Sequence, residues 1–183
     1  MKCSRFLCIL AWLIAAIQPL LAQRYITNNG RITFLSETKL ENIEASNVQA
    51  TSLFDSSSGE LVFSVPIRSF SFRKSLMEQH FNESYLESDK YPKSTFKGKL
   101  TGYTNKPGKQ AVKATGQLFM HGVTRPVTAD GTLEWKGKGK LALVASFPVK
   151  LADYQVKIPT VVFYNVAESV QVTINMEYKP YTP

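Results

Sequence analysis

The residues with the widest chemical repertoire in this chain are its two histidines, His80 and His121. Glu78, Glu83 and Asp130 lie near them in the sequence, but their spacing is not that of metal ligands, so a zinc site is not expected. The chain has no catalytic Ser-His-Asp order, no nucleophile elbow, no phosphate-binding glycine loop and no paired-carboxylate motif. The sequence therefore predicts a protein that is not an enzyme and that carries no metal or cofactor.

Each histidine has a structural and a functional interpretation. His80 shares a predicted helix face with apolar residues, where a partly buried imidazole that bonds a strand carbonyl is more common than a catalytic one. Its functional alternative is contact with a ligand head group at the mouth of a cavity. His121 precedes Gly122 at the end of a predicted strand, where an imidazole that caps backbone groups at the turn is the favoured interpretation.

One short helical insertion near residues 73–87 interrupts a chain that otherwise reads as strands. One face of this segment carries side chains at the three- and four-residue spacing of a helix: Phe72, Leu76, Met77, His80 and Phe81. Ser71 is a candidate N-cap, and Pro92 prevents the helix from continuing. A helix this short is marginal alone, so its apolar face must pack in the core of a sheet or across the mouth of a hollow.

The strands alternate apolar and polar residues, as strands with one dry face do, and residues 127–135 alternate most clearly. The tight-turn signal at residues 28–30 divides the opening region into two short strands, residues 25–27 and 31–36. Several long strands with short links indicate an all-β fold, either an up-and-down antiparallel barrel or a sandwich.

Glycines occupy inward positions in the middle of three predicted strands, at Gly98, Gly116 and Gly131. One interpretation is that they mark bends where a sheet curls. The other is that they leave space for a lumen, since a barrel of about eight strands holds a small ligand when its walls are not filled. The two interpretations are compatible.

Residues 1–22 have the basic, apolar and cleavage regions of a secretory signal peptide, with cleavage expected near Ala22. The apolar run is too short for a comfortable membrane span, and an uncleaved anchor is the alternative. Cys3 and Cys8 both lie in this segment, so the mature chain would contain neither a thiol nor a disulfide. Residues 23–183 would then form one exported domain with no stable membrane span.

The net charge of +8 is distributed along the whole chain. Lys136, Lys138 and Lys140 fit a solvated hairpin tip rather than a basic stripe with aromatic residues between the charges. A nucleic-acid partner is therefore not expected.

Three blocks of sequence carry a family resemblance: SFSFRKSLMEQHFNESYLESDKYPKSTFKGKL, GQLFMHGVTRPVTADGTLEW and ASFPVKLADYQVKIP. In their order and spacing they resemble the YceI-like family of bacterial lipid- and polyisoprenoid-binding proteins, over nearly the whole mature chain. The resemblance implies an extended, lipocalin-like antiparallel β-barrel that is exported to the periplasm. It also implies that the barrel encloses an isoprenoid chain, such as that of a polyprenyl phosphate or a quinone.

An isoprenoid tail has no polar group along its length, so its recognition depends on apolar walls that contribute about 0.8 kcal/mol per buried CH₂. The predicted ligand-binding residues are large inward side chains, the helix face and the three glycines: Phe34, Phe63, Val65, Ile67, Phe72, Leu76, Met77, His80, Phe81, Phe96, Gly98, Gly116, Leu118, Met120, Gly131, Leu133, Trp135, Leu143, Phe147, Val172 and Ile174. The same side chains would build a filled core equally well. The resemblance favours the cavity.

A phosphate head group would need a basic partner, and the candidates near the helix or the hairpin turn are Arg73, Lys74 and Arg125. Residues 73–86 would form a helical flap, and residues 153–164 a second loop at the rim. Replacing Gly116 or Gly131 with Trp is expected to abolish lipid binding and leave the fold intact.

The sequence leaves three functions open. The leading one is carriage or sequestration of a long-chain isoprenoid or another amphiphilic lipid in the periplasm. The alternative is a filled barrel that acts as a protein-interaction module of the cell envelope, with residues 161–164 as an exposed apolar contact. The third is an isomerase or hydrolase that uses His80 or His121. A homodimer is compatible with each of them.

Overall fold

Nine antiparallel strands form a single sheet in the computed structural model, which describes residues 24–38, 42–137, 139–158 and 166–181. The strands are β1 (Arg24–Glu37), β2 (Asn42–Asp55), β3 (Glu60–Pro66), β4 (Phe70–Phe72), β5 (Lys93–Thr101), β6 (Gly108–Met120), β7 (Val123–Lys136), β8 (Lys140–Lys150) and β9 (Ser169–Pro180). The alternating sequence pattern produces them, because inward side chains pack together and outward ones meet water.

Eight of these strands close into a barrel in the order β1-β9-β8-β7-β6-β5-β3-β2, with β2 paired to β1. The remaining strand, β4, is not part of this ring. It pairs with residues 45–47 of β2, beyond the end of β3. Each neighbouring pair is antiparallel. The predicted all-β, antiparallel, lipocalin-like barrel is therefore confirmed, and the sandwich alternative is wrong.

The predicted helical insertion is also present and lies across one end of the barrel. A 3-10 turn (Ile67–Ser69) follows β3, and after β4 come helix α1 (Ser75–His80) and a π-helical turn (Phe81–Tyr85). The N-cap of α1 is Lys74 rather than Ser71, which belongs to β4. We call this end of the barrel the helical end, and we call the segment from α1 to the π-helical turn the flap.

The opening region differs from the prediction, because residues 28–30 do not form a tight turn. They lie within β1, which runs without interruption to Glu37 and contains irregularities in register on both sides of Gly30. A side chain at Gly30 would collide with the sulfur of Met176, which packs over this glycine. The glycine therefore serves a close approach inside the barrel, and such bulges are an established use of glycine in strands.

The opposite end of the barrel, which we call the aromatic end, is filled by side chains. Tyr25, Phe54 and Tyr178 are buried there, and Trp135 meets Tyr25 edge to face at a centroid distance of 5.8 Å. Tyr178 and Ser52 share a buried hydrogen bond of 2.7 Å between their hydroxyl groups. Burial raises the pKa of the Tyr178 hydroxyl well above its ordinary value, so this bond is made by the neutral phenol.

The turn after β2 at the aromatic end gives a pH-dependent prediction. The Ser57 hydroxyl, the Ser57 and Ser58 amides and Arg24 all donate to the buried Asp55 carboxylate, which lowers the pKa of Asp55. A lowered folded-state pKa stabilises the fold above the unfolded value of about 3.9, and this contribution is lost as the pH falls through the folded-state pKa.

We therefore expect Asp55→Asn to reduce the free energy of unfolding at neutral pH, and the deficit to shrink below about pH 3.9. Urea unfolding of both proteins across this pH range measures the effect. Asp130→Asn is the matched control, because the Asp130 side chain is 80% exposed. A deficit that does not change with pH would contradict the prediction.

Candidate functional site

A cavity of about 170 Å³ occupies the barrel between the flap and the aromatic end. Its walls are inward side chains of the strands, and its roof includes Met77, Phe81 and Tyr85 of the flap. Along β8 the lining extends from Leu143 to Val149, about 20 Å at the rise of a strand. The cavity is therefore long enough for an extended chain.

The polar side chains in the described cavity wall are Ser36, Tyr85, Ser94 and Thr95, and the protein bonds the hydroxyl groups of both serines. The Ser36 hydroxyl accepts a hydrogen bond of 2.8 Å from the Ala167 amide. The Ser94 hydroxyl donates one of 2.7 Å to the Phe119 carbonyl. Among the residues that the structure describes, no charged side chain lines this space. The site is thus suited to hydrocarbon and offers few hydrogen bonds to a polar ligand.

Small residues on neighbouring strands give the cavity its width. Ala114 on β6 pairs with Ala129 on β7, and Gly131 on β7 pairs with Ala145 on β8, and all four line the cavity. Their short side chains leave the centre of the barrel unfilled at this level.

The next inward layer toward the aromatic end forms the floor. Leu133 pairs with Leu143, and Leu143 pairs with Met176 across β7, β8 and β9. Leu133 and Met176 are both fully buried at 0% exposure and lie below the lining. The change from small to large inward residues over this short distance therefore ends the cavity.

Four phenylalanine rings hold the flap against the barrel. Phe81 from the π-helical turn contacts Phe34, Phe70 and Phe72 at centroid distances of 5.6, 5.5 and 5.0 Å. All four line the cavity at the helical end. The π-helical turn belongs to this contact, since it begins at Phe81 and buries both Phe81 and Tyr85.

Most of the residues predicted to contact a ligand do line the cavity. They are Phe34, Phe63, Val65, Ile67, Phe72, Met77, Phe81, Phe96, Leu118, Met120, Gly131, Leu143, Phe147, Val172 and Ile174.

Four predicted residues lie elsewhere for identifiable reasons. Leu133 and Trp135 belong to the floor and the aromatic end. Leu76 is 48% exposed on the outer face of α1. The buried apolar side chains that follow Met77 are instead Phe81 and Tyr85 of the π-helical turn. His80, at the end of α1, is half-buried and does not line the cavity.

Gly98 and Gly116 were predicted to open the lumen, and this interpretation is wrong. They pair with each other across β5 and β6, and a methyl group on Gly98 would collide with the Thr115 carbonyl. The Phe96 ring also covers them, with Cζ 2.6 Å from the position of an added Gly98 Cβ. The aromatic ring thus fills the space that the glycines vacate, a known arrangement in sheets.

We therefore expect Gly98→Ala to destabilise the barrel by about 1–3 kcal/mol, the range for overpacked sites. The same kind of contact means that neither Gly116→Trp nor Gly131→Trp would leave the fold intact, since an added Cβ would lie 2.4 Å from the Lys97 carbonyl oxygen and 2.5 Å from the Val144 carbonyl oxygen respectively. Thermal or urea unfolding measures the change. Gly137→Ala is the matched control, since nothing lies within 4 Å of an added Cβ there. Equal stability of the two variants would refute the steric argument.

The three basic candidates for a head group lie at two separate places. Arg73 and Lys74 border a shallow surface pocket of about 70 Å³ beside Glu44. Ile43, Phe72 and Met77 line both this pocket and the main cavity, so they form the wall between them. Arg125 lies on β7, where its Nε donates a hydrogen bond of 3.0 Å to the Asp153 carbonyl.

His121 joins three elements at the helical end. It occupies the two-residue turn between β6 and β7, and its Nε2 lies 2.7 Å from a carboxylate oxygen of Glu87, just beyond the flap. Its Nδ1 lies 3.0 Å from the carbonyl oxygen of Tyr154 in the segment after β8. The sequence predicted that His121 caps backbone groups of its own turn. The imidazole instead bonds Glu87 and Tyr154, which are distant in the sequence.

The lining includes many residues that were not predicted from the sequence to bind a ligand. Ala114, Val127, Ala129, Ala145 and Val149 are examples, and each belongs to the dry face of its strand. The alternation that identified the large residues also identifies these, but selection by size omitted them. Leu151 and Val156 come from irregular backbone, where alternation gives no signal.

Some predictions fall outside the described residues. These are the signal peptide at residues 1–22, the apolar contact at residues 161–164 and the second half of the rim loop at residues 153–164, which is described only as far as residue 158. Within the described part, no cluster of three or more His, Cys, Asp or Glu is placed to hold a metal ion. The helices described here are all too short or too polar to cross a membrane.

Comparison with known proteins identifies relatives of this chain. A family model described as a YceI-like domain matches residues 25–178. Among curated proteins none matches the sequence.

Solved structures share the fold at low sequence identity. A polyisoprenoid-binding domain from Saccharophagus degradans, implicated in plant cell wall breakdown, is 13% identical with a TM-score of 0.76, over 87% of this chain and 99% of that one. BcnA from Burkholderia cenocepacia is 18% identical with a TM-score of 0.66, over 81% and 95% of the two chains. The YceI protein of Campylobacter jejuni is 19% identical with a TM-score of 0.62, over 80% and 90%.

Proposed function

Since this chain belongs to the YceI-like domain family, we propose that it binds a long-chain isoprenoid lipid, such as a polyprenyl phosphate or a quinone. The observation that carries the proposal is the elongated cavity of about 170 Å³, whose wall is apolar. A hydrocarbon tail gives up no hydrogen bonds when it enters such a space, whereas a polar ligand would give up its hydrogen bonds to water. The similar domain from Saccharophagus degradans, which is named for polyisoprenoid binding, supports the same ligand class.

The expected affinity arises from burial of the tail. Each CH₂ group contributes about 0.8 kcal/mol, so ten such groups contribute about 8 kcal/mol before ordering costs are subtracted. The head group stays at the rim in this proposal, because a charge in an apolar cavity would be costly. Arg73, Lys74 and Arg125 are the basic residues assigned to it, at the two places described above.

We assign the protein a role in carriage or sequestration rather than catalysis, and a place in the periplasm. The signal-like pattern of residues 1–22 supports the location. The role rests on the cavity, which contains neither a charged side chain nor a histidine among its described lining residues. A filled barrel that acts only as an interaction module does not fit a cavity of this size.

Mass spectrometry of an organic extract tests the proposal. The protein would be purified without detergent from the periplasmic fraction of its native host, and we expect a stoichiometric isoprenoid in the extract. Removal of the lipid with an apolar resin should yield a protein that takes up added polyprenols. An empty barrel that also refuses added polyprenols, or a protein absent from the periplasmic fraction, would contradict the ligand or the location respectively.

A further inference from the structure

The wall of the barrel is interrupted between β7 and β8. In the described residues, the ladder between these strands joins only residues 131–136 to residues 140–145. Toward the helical end, residues 123–130 pair with β6 and residues 146–150 pair with β9, but the two stretches do not pair with each other. We call this gap the seam.

The seam opens directly onto the cavity. Val127 and Ala129 line the cavity on the β7 side, and Phe147 and Val149 line it on the β8 side. Elsewhere in the ring backbone ladders join neighbouring strands, and where the β2–β3 ladder stops after four residue pairs, β4 pairs with β2 toward the helical end. The hydrogen bonds of these ladders would have to break for the wall to part.

Residues 151–158, which we call the seam segment, fill the gap. A 3-10 turn (Leu151–Tyr154) begins the segment and packs on β7. Leu151 and Val156 point into the cavity lining, and Tyr154 is buried. The segment is therefore a plug whose apolar side completes the cavity wall.

Side chains, rather than a ladder, fasten the plug to β7 and to the turn before it. Arg125 Nε donates to the Asp153 carbonyl at 3.0 Å, and His121 Nδ1 meets the Tyr154 carbonyl at 3.0 Å. The net free energy of a single hydrogen bond is small, because water replaces it on opening. The seam is thus the part of the wall that separates with the fewest broken bonds among those described.

Backbone strain is concentrated at the same place. Among the described residues, the non-glycine residues with positive φ are Glu87, His121 and Gln155, at 44°, 50° and 57°. They come from three different elements and meet at His121, which bonds Glu87 and the residue before Gln155. Strained backbone of this kind is found at clamps and switch regions, where the surrounding structure maintains it.

Both ring nitrogens of His121 have partners in the closed seam. Nδ1 meets the Tyr154 carbonyl of the seam segment, and Nε2 meets the Glu87 carboxylate on the opposite side. The other titratable or charged groups around it are Tyr91, whose ring lies 4.9 Å away, and Tyr154, Asp153 and Arg125 on the seam side. The Lys90 Nζ atom lies over the Tyr91 ring, 5.0 Å from its centroid.

We propose that the seam is the entrance through which a hydrocarbon ligand reaches the cavity, and that His121 is the latch that holds the seam segment shut. The ligand part of this inference rests on the proposed lipid-binding function, whereas opening of the seam segment does not.

The test compares wild-type protein with His121→Asn. Asn tolerates positive φ, and Asn-Gly is a favoured pair for a two-residue hairpin turn, so this variant keeps the turn and removes the imidazole. Stopped-flow fluorescence with N-phenylnaphthylamine, an apolar probe, gives the association and dissociation rates. Hydrogen exchange reports opening at the Gln155 and Val156 amides, which donate within the segment to Ala152 and Leu151.

We expect both rates to rise about fivefold in His121→Asn, the effect of one net hydrogen bond, with little change in affinity. Gln110→Ala is the control, since Gln110 bonds the Thr104 and Lys106 carbonyls at the aromatic end. It should leave the rates unchanged.

Three results would overturn the inference: wild-type rates in His121→Asn, the same acceleration in Gln110→Ala, or unchanged exchange at Gln155 and Val156. Failure of the probe and of polyprenols to bind any form of the protein would refute the lipid-binding function alone. In that case the hydrogen exchange data still decide whether His121 latches the seam segment.

Discussion

Ala129→Phe should abolish lipid binding, with an affinity loss of more than about 100-fold. Ala129 lines the cavity at its widest level, beside Ala114 and above the floor. A benzyl group there would exclude about four CH₂ groups of ligand, which corresponds to about 3 kcal/mol. The existing space can accept the ring, so the cost to folding should stay within the range of about 1–3 kcal/mol for enlarged core side chains.

The measurement is the dissociation constant for a polyprenol, together with the lipid content of the purified protein. Ala111→Phe is the matched control, because it is the same substitution at a residue of β6 that is exposed on the outside of the barrel. If Ala129→Phe fails to fold, Ala114→Leu places a smaller obstruction at the same level. A folded Ala129→Phe protein that keeps its lipid at wild-type affinity would show that the ligand lies elsewhere.

Met176→Ala should shift the bound lipid toward longer chains and destabilise the protein by about 2–5 kcal/mol. Met176 is fully buried in the floor and packs over Gly30, where no side chain competes for the space. Removing the thioether therefore extends the cavity toward the aromatic end. Two more buried CH₂ groups would add about 1.6 kcal/mol, so preference for the longer chain should rise about tenfold.

Competition between polyprenols of different lengths, read by native mass spectrometry, measures this preference. Leu141→Ala is the control, because Leu141 is equally buried but lies one layer further from the cavity, beside Tyr178. It should destabilise the protein without a change in chain length. An unchanged preference in a folded Met176→Ala protein would mean that the floor does not limit the ligand.

Alternation along the strands was sufficient to predict an antiparallel all-β fold and much of its lining, whereas the choice of a barrel over a sandwich came from the family resemblance. Residues such as Phe147, Val172 and Ile174 face inward because the side-chain period of a strand is two, and no long-range information is needed for that. Gly131 was also placed correctly, since it pairs with Ala145 in the cavity wall.

The errors came from contacts between strands, which a single strand does not encode. The sequence pattern around Gly98 and Gly116 is that of glycines lining a lumen. The strand register, which the pattern does not contain, places them opposite each other under the Phe96 ring. Gly30 resembles a turn glycine until Met176, distant in the sequence, is found packed over it. The bridge from His121 to Glu87 and Tyr154 likewise depends on how three loops meet at the helical end.

Closure of the ring by β1 and β9 has a consequence for how the molecule is assembled. β1 pairs with β9, the last strand, as well as with its sequence neighbour β2. Loop closure over such a separation is entropically costly, and topologies dominated by distant contacts fold slowly. Until β9 arrives, β1 and β8 present unpaired edges and the inner face is accessible to water. The cavity is therefore enclosed only once β1 and β9 have paired, and a hydrocarbon ligand present at that moment can be enclosed as the barrel closes.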